Sequence, residues 1–299
     1  MFDRRSFLGA LRNGATALLF FALGASSALS DEVVLIEAEQ FQVFEHDLGG
    51  RLGVAIWDLE TGSKTGWRAD ERFAMNSTFK FMLVAATLKR IENGDEQFDR
   101  SIDIDEADLV PWAPVTEKHI GQTMTIRELC SAVMTKSDNL ATNYLLKAMG
   151  GPAKLTAFLR DAGDDVSISS RYEPEANAVG QNDDRDTSTP NAMVSNLERF
   201  VLGSTLSKSS RAQLFDWMVE NTTGLKRIRG GLPDDWNAGD RTGTGSGGRA
   251  SNIAIAYPPG RAPVLFAVYT DGSHRYPRDI SKVHAEIGRL VSERIIKGH

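Results

Sequence analysis

The order of hydrophobic patterns predicts an α/β fold: an antiparallel sheet flanked by helices, with an all-helical domain inserted. Three observations carry this. Short apolar runs bounded by turn residues occur near both ends, at 52–59 and again at 240–244, 251–257 and 263–270. From about residue 77 to 221 the apolar spacing becomes helical. The chain then closes on an amphipathic helix after Asp279, with Ile280, Val283, Ile287, Leu290, Val291 and Ile295 on one stripe. The predicted division is therefore a discontinuous α/β domain, 31–70 with 222–299, and a helical domain, 71–221, with a ligand cleft between them.

Taken in order, a first helix is expected over 33–48. A strand follows at 52–59, and Glu60-Thr-Gly62-Ser-Lys64 is its turn. A return strand runs through Trp67. Thr125-Ile126-Arg127-Glu128 is a capping box, opening a helix with Ile126, Leu129, Cys130, Val133 and Met134 on one face. Helices continue over 138–149 to Gly150 and over 152–162, with Gly163 as the C-terminal glycine, then over 190–202 and 208–221. Between them, 164–189 has no usable periodicity, and a loop that long is functional or disordered.

The first thirty residues stand apart. Asp3-Arg4-Arg5-Ser6-Phe7-Leu8 precedes an apolar stretch, 15–23, and then small residues up to Ser30. That order is an export signal, and the paired arginines suggest the twin-arginine route to the periplasm. Cleavage is expected after Ala28 or Ser30. The apolar core is short for a membrane span, so no membrane association is expected after cleavage.

The whole chain has 299 residues, 41% hydrophobic and 25% charged, and a formal charge of −6. Without long basic runs this argues against nucleic acid as a partner. The one cysteine, Cys130, excludes an internal disulfide and is expected to be a buried, inert thiol.

Ser77 and Lys80, three apart at a helix start, project from one face. Unpaired N–H groups and the positive end of the helix dipole lie there too. A hydroxyl so placed has an amine to exchange its proton with and donors for a developing oxyanion. A capped helix with a surface lysine is the plain alternative. Ser137-Asp138-Asn139 falls between two helices, where a turn presents a hydroxyl and an amide, or else simply caps a helix. In the long loop, Glu173 and Asn177 can hold a water between a carboxylate and an amide, although a surface acidic loop reads the same way. Arg241-Thr242-Gly243-Thr244 lies on a strand, and its glycine lets a ligand approach the backbone. Arg227 and Arg229, just upstream, offer cations to a substrate carboxylate.

In this order the motifs resemble the class A serine β-lactamases, penicillinases and carbenicillinases in particular. Ser77-Thr-Phe-Lys80 matches the family's Ser-x-x-Lys, Ser137-Asp138-Asn139 its Ser-Asp-Asn, and Glu173-Pro174-x-x-Asn177 the acid and amide of its Ω-loop, here 168–186. Arg171 and Asp186 match the ion pair that closes that loop. The third motif, usually Lys-Thr-Gly, is assigned to Arg241-Thr242-Gly243. A literal Lys64-Thr65-Gly66 lies in the first hairpin turn, ahead of the nucleophile. The resemblance covers essentially all of the chain beyond residue 30.

It implies the serine β-lactamase and penicillin-binding-protein fold, and hydrolysis of β-lactams, hence antibiotic resistance. Ser77 attacks the ring carbonyl, its proton passing to Lys80 directly or to Glu173 through a water. The N–H groups of Ser77 and Thr244 form the oxyanion hole, and Ser137 relays a proton to the ring nitrogen. Asn139 binds the substrate side-chain amide and holds Lys80. Glu173 with Asn177 activates the deacylating water. Thr242, Arg241 and Arg227 hold the substrate carboxylate, Gly243 and Thr244 are also part of the substrate site, and Trp112 is the aromatic at the cleft mouth. Arginine at 241 favours penicillins, carbenicillin included, and early over late cephalosporins. Val84 stands where some members carry a cysteine to pair with Cys130, and Ala250 where some carry an arginine. No cofactor is implied; a monomer is expected.

Two rivals share part of the pattern. A DD-peptidase has the Ser-x-x-Lys and the third-motif strand but no deacylating Glu173–Asn177 pair. A β-lactam sensor domain stays acylated and needs a membrane-spanning segment, which is not visible beyond residue 30. The five histidines include no His-x-His-x-Asp, which argues against a metal site.

Overall fold

Residues 35–298 are described by a computed structural model. The expected export signal, 1–30, lies outside the described residues. The described residues contain nine strands and eight α-helices. The strands are β1 (Arg51–Asp58), β2 (Lys64–Trp67), β3 (Phe73–Ala74), β4 (Ser101–Asp103), β5 (Thr123–Thr125), β6 (Thr187–Ser188), β7 (Asn237–Gly245), β8 (Arg249–Tyr257) and β9 (Val264–Asp271). The helices are α1 (Ala38–Leu48), α2 (Phe79–Asn93), α3 (Ile126–Lys136), α4 (Asn139–Met149), α5 (Pro152–Asp161), α6 (Pro190–Leu197), α7 (Lys208–Val219) and α8 (Pro277–Lys297).

Strands from both ends of the chain form one antiparallel sheet in the order β2-β1-β9-β8-β7. Both faces are buried, and the side chains alternate between two cores as strand geometry requires. Leu52, Val54 and Ile56 of β1 and Val264, Phe266 and Val268 of β9 join α1 and α8 in one core. Ala55, Ile253, Ile255, Leu265, Ala267 and Tyr269 face the helical body in the other. At its centre is α2, buried without a break from Phe79 to Leu88, which accounts for the unbroken apolar run Phe81–Ala86.

The predicted order of elements holds, with local differences. α1 begins at Ala38, because Glu37 is extended (ψ 150°) and the Leu35 N–H donates to Thr65 Oγ1 instead of a helical carbonyl. Lys64 belongs to β2, opposite Trp57, so Lys64-Thr65-Gly66 is on a strand and not in the turn. The helix at Pro190 changes to a π-helix at Glu198–Leu202, and α7 ends at Val219, releasing Asn221 for tertiary contacts. The short pairs β3–β6 and β4–β5 went unforeseen, since two or three residues show no periodicity. The capping box is present, with reciprocal bonds between Thr125 and Glu128. Cys130 is buried and free, with burial pushing its thiol up. Among the described residues no helix is long and apolar enough to cross a membrane.

Candidate active site

Strand β7 is an edge of the sheet, and its outer side borders a cavity of about 460 Å³. Ser77, Trp112, Ser137, Asn139, Asn177, Thr223, Arg227, Thr242, Gly243 and Thr244 line it, so ten residues from six segments converge there.

Ser77 sits in a single 3₁₀ turn, Asn76–Thr78, that runs into α2. The peptide before it is tied on both sides. Met75 N–H donates to Asp186 O at 3.0 Å, and Met75 O accepts from Ser251 Oγ at 2.9 Å and Thr78 Oγ1 at 2.7 Å. Gly243 packs against this turn: a Cβ there would stand 2.6 Å from both Ser77 N and Asn76 Cβ. The side on which a side chain would stand is thus filled by the nucleophile's own turn, while Gly243 also lines the cavity.

Lys80 is completely buried. Its ammonium donates to Ser137 O (3.0 Å), Ser137 Oγ (3.3 Å) and Asn139 Oδ1, and lies 3.0 Å from Glu173 Oε1. Burial pushes its pKa down to about 8; Glu173 opposes that shift and Arg241 adds to it. An amine so held is neutral in part near neutral pH and can accept a proton.

Ser137 caps α3 in the left-handed conformation, φ 63°, and Asp138 begins α4. The Asp138 carboxylate accepts from Ala141 N, Val115 N, Thr116 N and Thr116 Oγ1, which fixes the corner. Asn139 holds Lys80 with one end of its amide and donates to Pro111 O (2.8 Å) with the other.

The long loop is closed by Arg171, whose Nε donates to Asp186 Oδ2 at 2.5 Å. Glu173 is held inward by Asn143, which donates to Glu173 O (2.8 Å) and accepts from Glu173 N (2.9 Å). Asn177 Nδ2 donates to Glu173 Oε2. Asn177 Oδ1 accepts no hydrogen bond, and the one close polar neighbour of Glu173 Oε1 is the Lys80 ammonium, so the carboxylate and the amide retain lone pairs that a water can use.

The cations divide differently from expectation. Arg227 does line the cavity, but its NH1 donates to Gly243 O and Ser251 O, both at 2.7 Å, and its NH2 to Thr244 Oγ1 at 2.7 Å. Because the peptide is planar, holding Gly243 C=O turns the Thr244 N–H the opposite way. Arg229 is withdrawn, donating to Val219 O and Asn221 O and pairing with Asp240 at 3.5 Å. Arg241 is fully buried and not on the cavity wall; NH1 donates to Thr242 O, while Nε and NH2 have no partner. Its direct contact with a carboxylate is therefore corrected to an influence through its charge. Burial pushes Arg227 and Arg241 each down to about 10. Trp112, 63% exposed with φ 64°, stands at the mouth, its Nε1 donating to Lys136 O. Ala250 is buried opposite Thr244.

Sequence reasoning passed over Asn143 and Thr223. Asn143 sits one turn after Asn139 on the same helical face, a signal that was readable. Thr223, in the polar run Asn221-Thr-Thr-Gly224, carried none.

Residues 37–295 match the family model described as the β-lactamase enzyme family. The chain is 43% identical to the carbapenem-hydrolyzing β-lactamase KPC of Klebsiella oxytoca, covering 86% of this chain and 88% of that one. It is 41% identical to β-lactamase CTX-M-8 of Citrobacter amalonaticus, over 85% and 88%. Among solved structures, an ancestral (GNCA) class A β-lactamase superposes with a TM-score of 0.84 at 52% identity, over 85% of this chain and 98% of that one.

Proposed function

This chain belongs to the β-lactamase enzyme family as a class A serine β-lactamase, and we propose that it hydrolyses penicillins, carbenicillin included, through a Ser77 acyl-enzyme. The observation that carries the reading is the buried Glu173, 3.0 Å from Lys80 and bonded to Asn177 beside the Ser77 cavity. An acyl-enzyme needs only a nucleophile and donors. A carboxylate that can take a water's proton, beside an amide that can orient it, supplies what releases it.

In this reading Ser77 Oγ bonds to the lactam carbonyl carbon and gives its proton to Lys80, or to Glu173 through a water. The Ser77 and Thr244 N–H groups receive the oxyanion. The ring C–N bond breaks, and its nitrogen takes a proton from Ser137, which Lys80 replenishes across their contact. Glu173 then draws a proton from a water that attacks the ester, and Ser77 leaves as the hydroxyl. Thr242, Thr244 and Arg227 receive the substrate carboxylate, Asn139 the side-chain amide, and Trp112 packs at the mouth. Residues 71–221 and the sheet region act as the two walls of the cleft. The order of residues in 1–30 supports twin-arginine export to the periplasm, where the enzyme acts as a monomer.

The test is turnover of a chromogenic β-lactam by the purified protein, expected to be catalytic and unchanged by a chelator. In Glu173→Ala, intact mass spectrometry should find the Ser77 acyl adduct accumulating. A wild-type burst of one equivalent without turnover would assign the chain to the sensor or peptidase class instead.

A further inference from the structure

Behind Thr242 runs a chain of hydrogen bonds whose polarity is fixed at one end. Thr223 N–H donates to Asn221 Oδ1 at 3.1 Å, and a backbone N–H can only donate. That orients the Asn221 amide without reference to any charge. The opposite end agrees, since Asn221 Nδ2 donates to Asp240 Oδ1 at 2.9 Å. Asp240 also accepts from Asn252 Nδ2 at 3.0 Å and lies 3.5 Å from Arg229. The Thr223 hydroxyl then donates to Asn221 Oδ1 at 2.8 Å.

A hydroxyl has one proton. Both contacts of Thr223 Oγ1 are hydrogen bonds only if it donates to Asn221 and accepts from Thr242 Oγ1, 2.5 Å away. The Thr242 proton is thereby turned away from the cavity that both residues line, leaving lone pairs toward it. We infer that Thr223 is a specificity-determining residue that holds the Thr242 hydroxyl in the acceptor orientation and so weakens binding of the β-lactam carboxylate. The inference rests on the proposed role of Thr242 as a carboxylate contact. An anion entering the cavity must rotate the Thr242 proton toward itself; the contact with Thr223 then survives only if the Thr223 hydroxyl gives up its bond to Asn221 Oδ1, so one hydrogen bond is lost either way. A ligand whose carboxyl is esterified needs no donor and is indifferent to the arrangement.

Valine matches threonine in shape and removes the competing acceptor. Asn221 Oδ1 keeps the Thr223 N–H bond, so no new buried group is orphaned. Binding is measured by calorimetry in the non-acylating Ser77→Ala background, so it reads out whether or not the wild type turns over. Adding Thr223→Val should tighten benzylpenicillin about three- to tenfold, the range of one hydrogen bond, and leave its methyl ester within about twofold. Thr223→Ser keeps the hydroxyl and should leave both unchanged. Weaker or unchanged binding of the acid in Thr223→Val, or an equal shift of acid and ester, overturns the inference. Absence of turnover in the wild type overturns the hydrolase reading and not this one.

Discussion

Lys80 Nζ and Glu173 Oε1 lie 3.0 Å apart, and neither side chain reaches solvent. Two charges taken out of water attract strongly but lose their hydration, and the pair adjusts by easing the proton off the amine. That shift makes Lys80 usable as a base near neutral pH.

The acylation rate should accordingly rise with pH through about 8, the value to which burial brings Lys80. In Glu173→Gln the anion that raises the Lys80 pKa is gone, so the rising limb should move to lower pH. Stopped-flow acylation of both proteins checks this. A flat profile between about pH 6 and 9 would place the proton on Glu173 through water. Stability carries the same signature. The folded pKa lies below the ordinary lysine value of 10.5, so the unfolded chain binds more protons between the two values. Relative to Lys80→Met, the wild type should gain stability as pH rises from about 8 to 10.5.

Opening the Arg171–Asp186 clasp should affect release more than attack. The pair is 18% and 3% exposed, and Asp186 O also receives Met75 N–H. Arg171→Ala leaves a buried carboxylate unpaired, with an expected stability loss of about 2–4 kcal/mol. Urea titration measures the loss. Deacylation should slow more than acylation in a burst assay, and equal slowing would detach the clasp from the placement of Glu173.

Gly243→Ala should disable attack. The added Cβ meets Ser77 N and Asn76 Cβ at 2.6 Å, so the turn or the strand must move. Losing one aligned oxyanion donor lowers the acylation rate about 10²–10³-fold. Acylation at the wild-type rate would mean that the turn shifts without disturbing the hole.

Removing the Asn143 amide should loosen Glu173 from behind. Asn143→Ala deletes both bonds to the Glu173 backbone, at a cost of about 1–3 kcal/mol. The acyl-enzyme should persist longer, as followed by mass spectrometry after a penicillin pulse. A lifetime equal to the wild type would show that Asn177 and Lys80 suffice to place the carboxylate.

How much of this was legible varies with the residue. Ser77 and Lys80, or Arg241 and Gly243, were readable as pairs because one helical turn or one strand repeat decides which neighbours share a side. The apolar runs of β1, β8 and β9 marked strands covered on both faces, and α8 its single stripe. Asn143 was readable by the same periodicity and was passed over.

What periodicity could not settle was depth and partner. Arg227, Arg229 and Arg241 carry the same side chain on neighbouring segments. The fold puts Arg227 on the cavity wall, pairs Arg229 with Asp240, and seals Arg241 away from it. Those fates depend on which carbonyls and carboxylates other segments bring within 3–4 Å, a property of the packed chain. Thr223 shows the same limit: its bond to Thr242 crosses from the end of a helix to a strand nineteen residues on. Local spacing named the reacting groups; the direction of each proton and the depth of each charge came from tertiary packing, because hydrogen bonds and desolvation depend on neighbours that are distant in sequence.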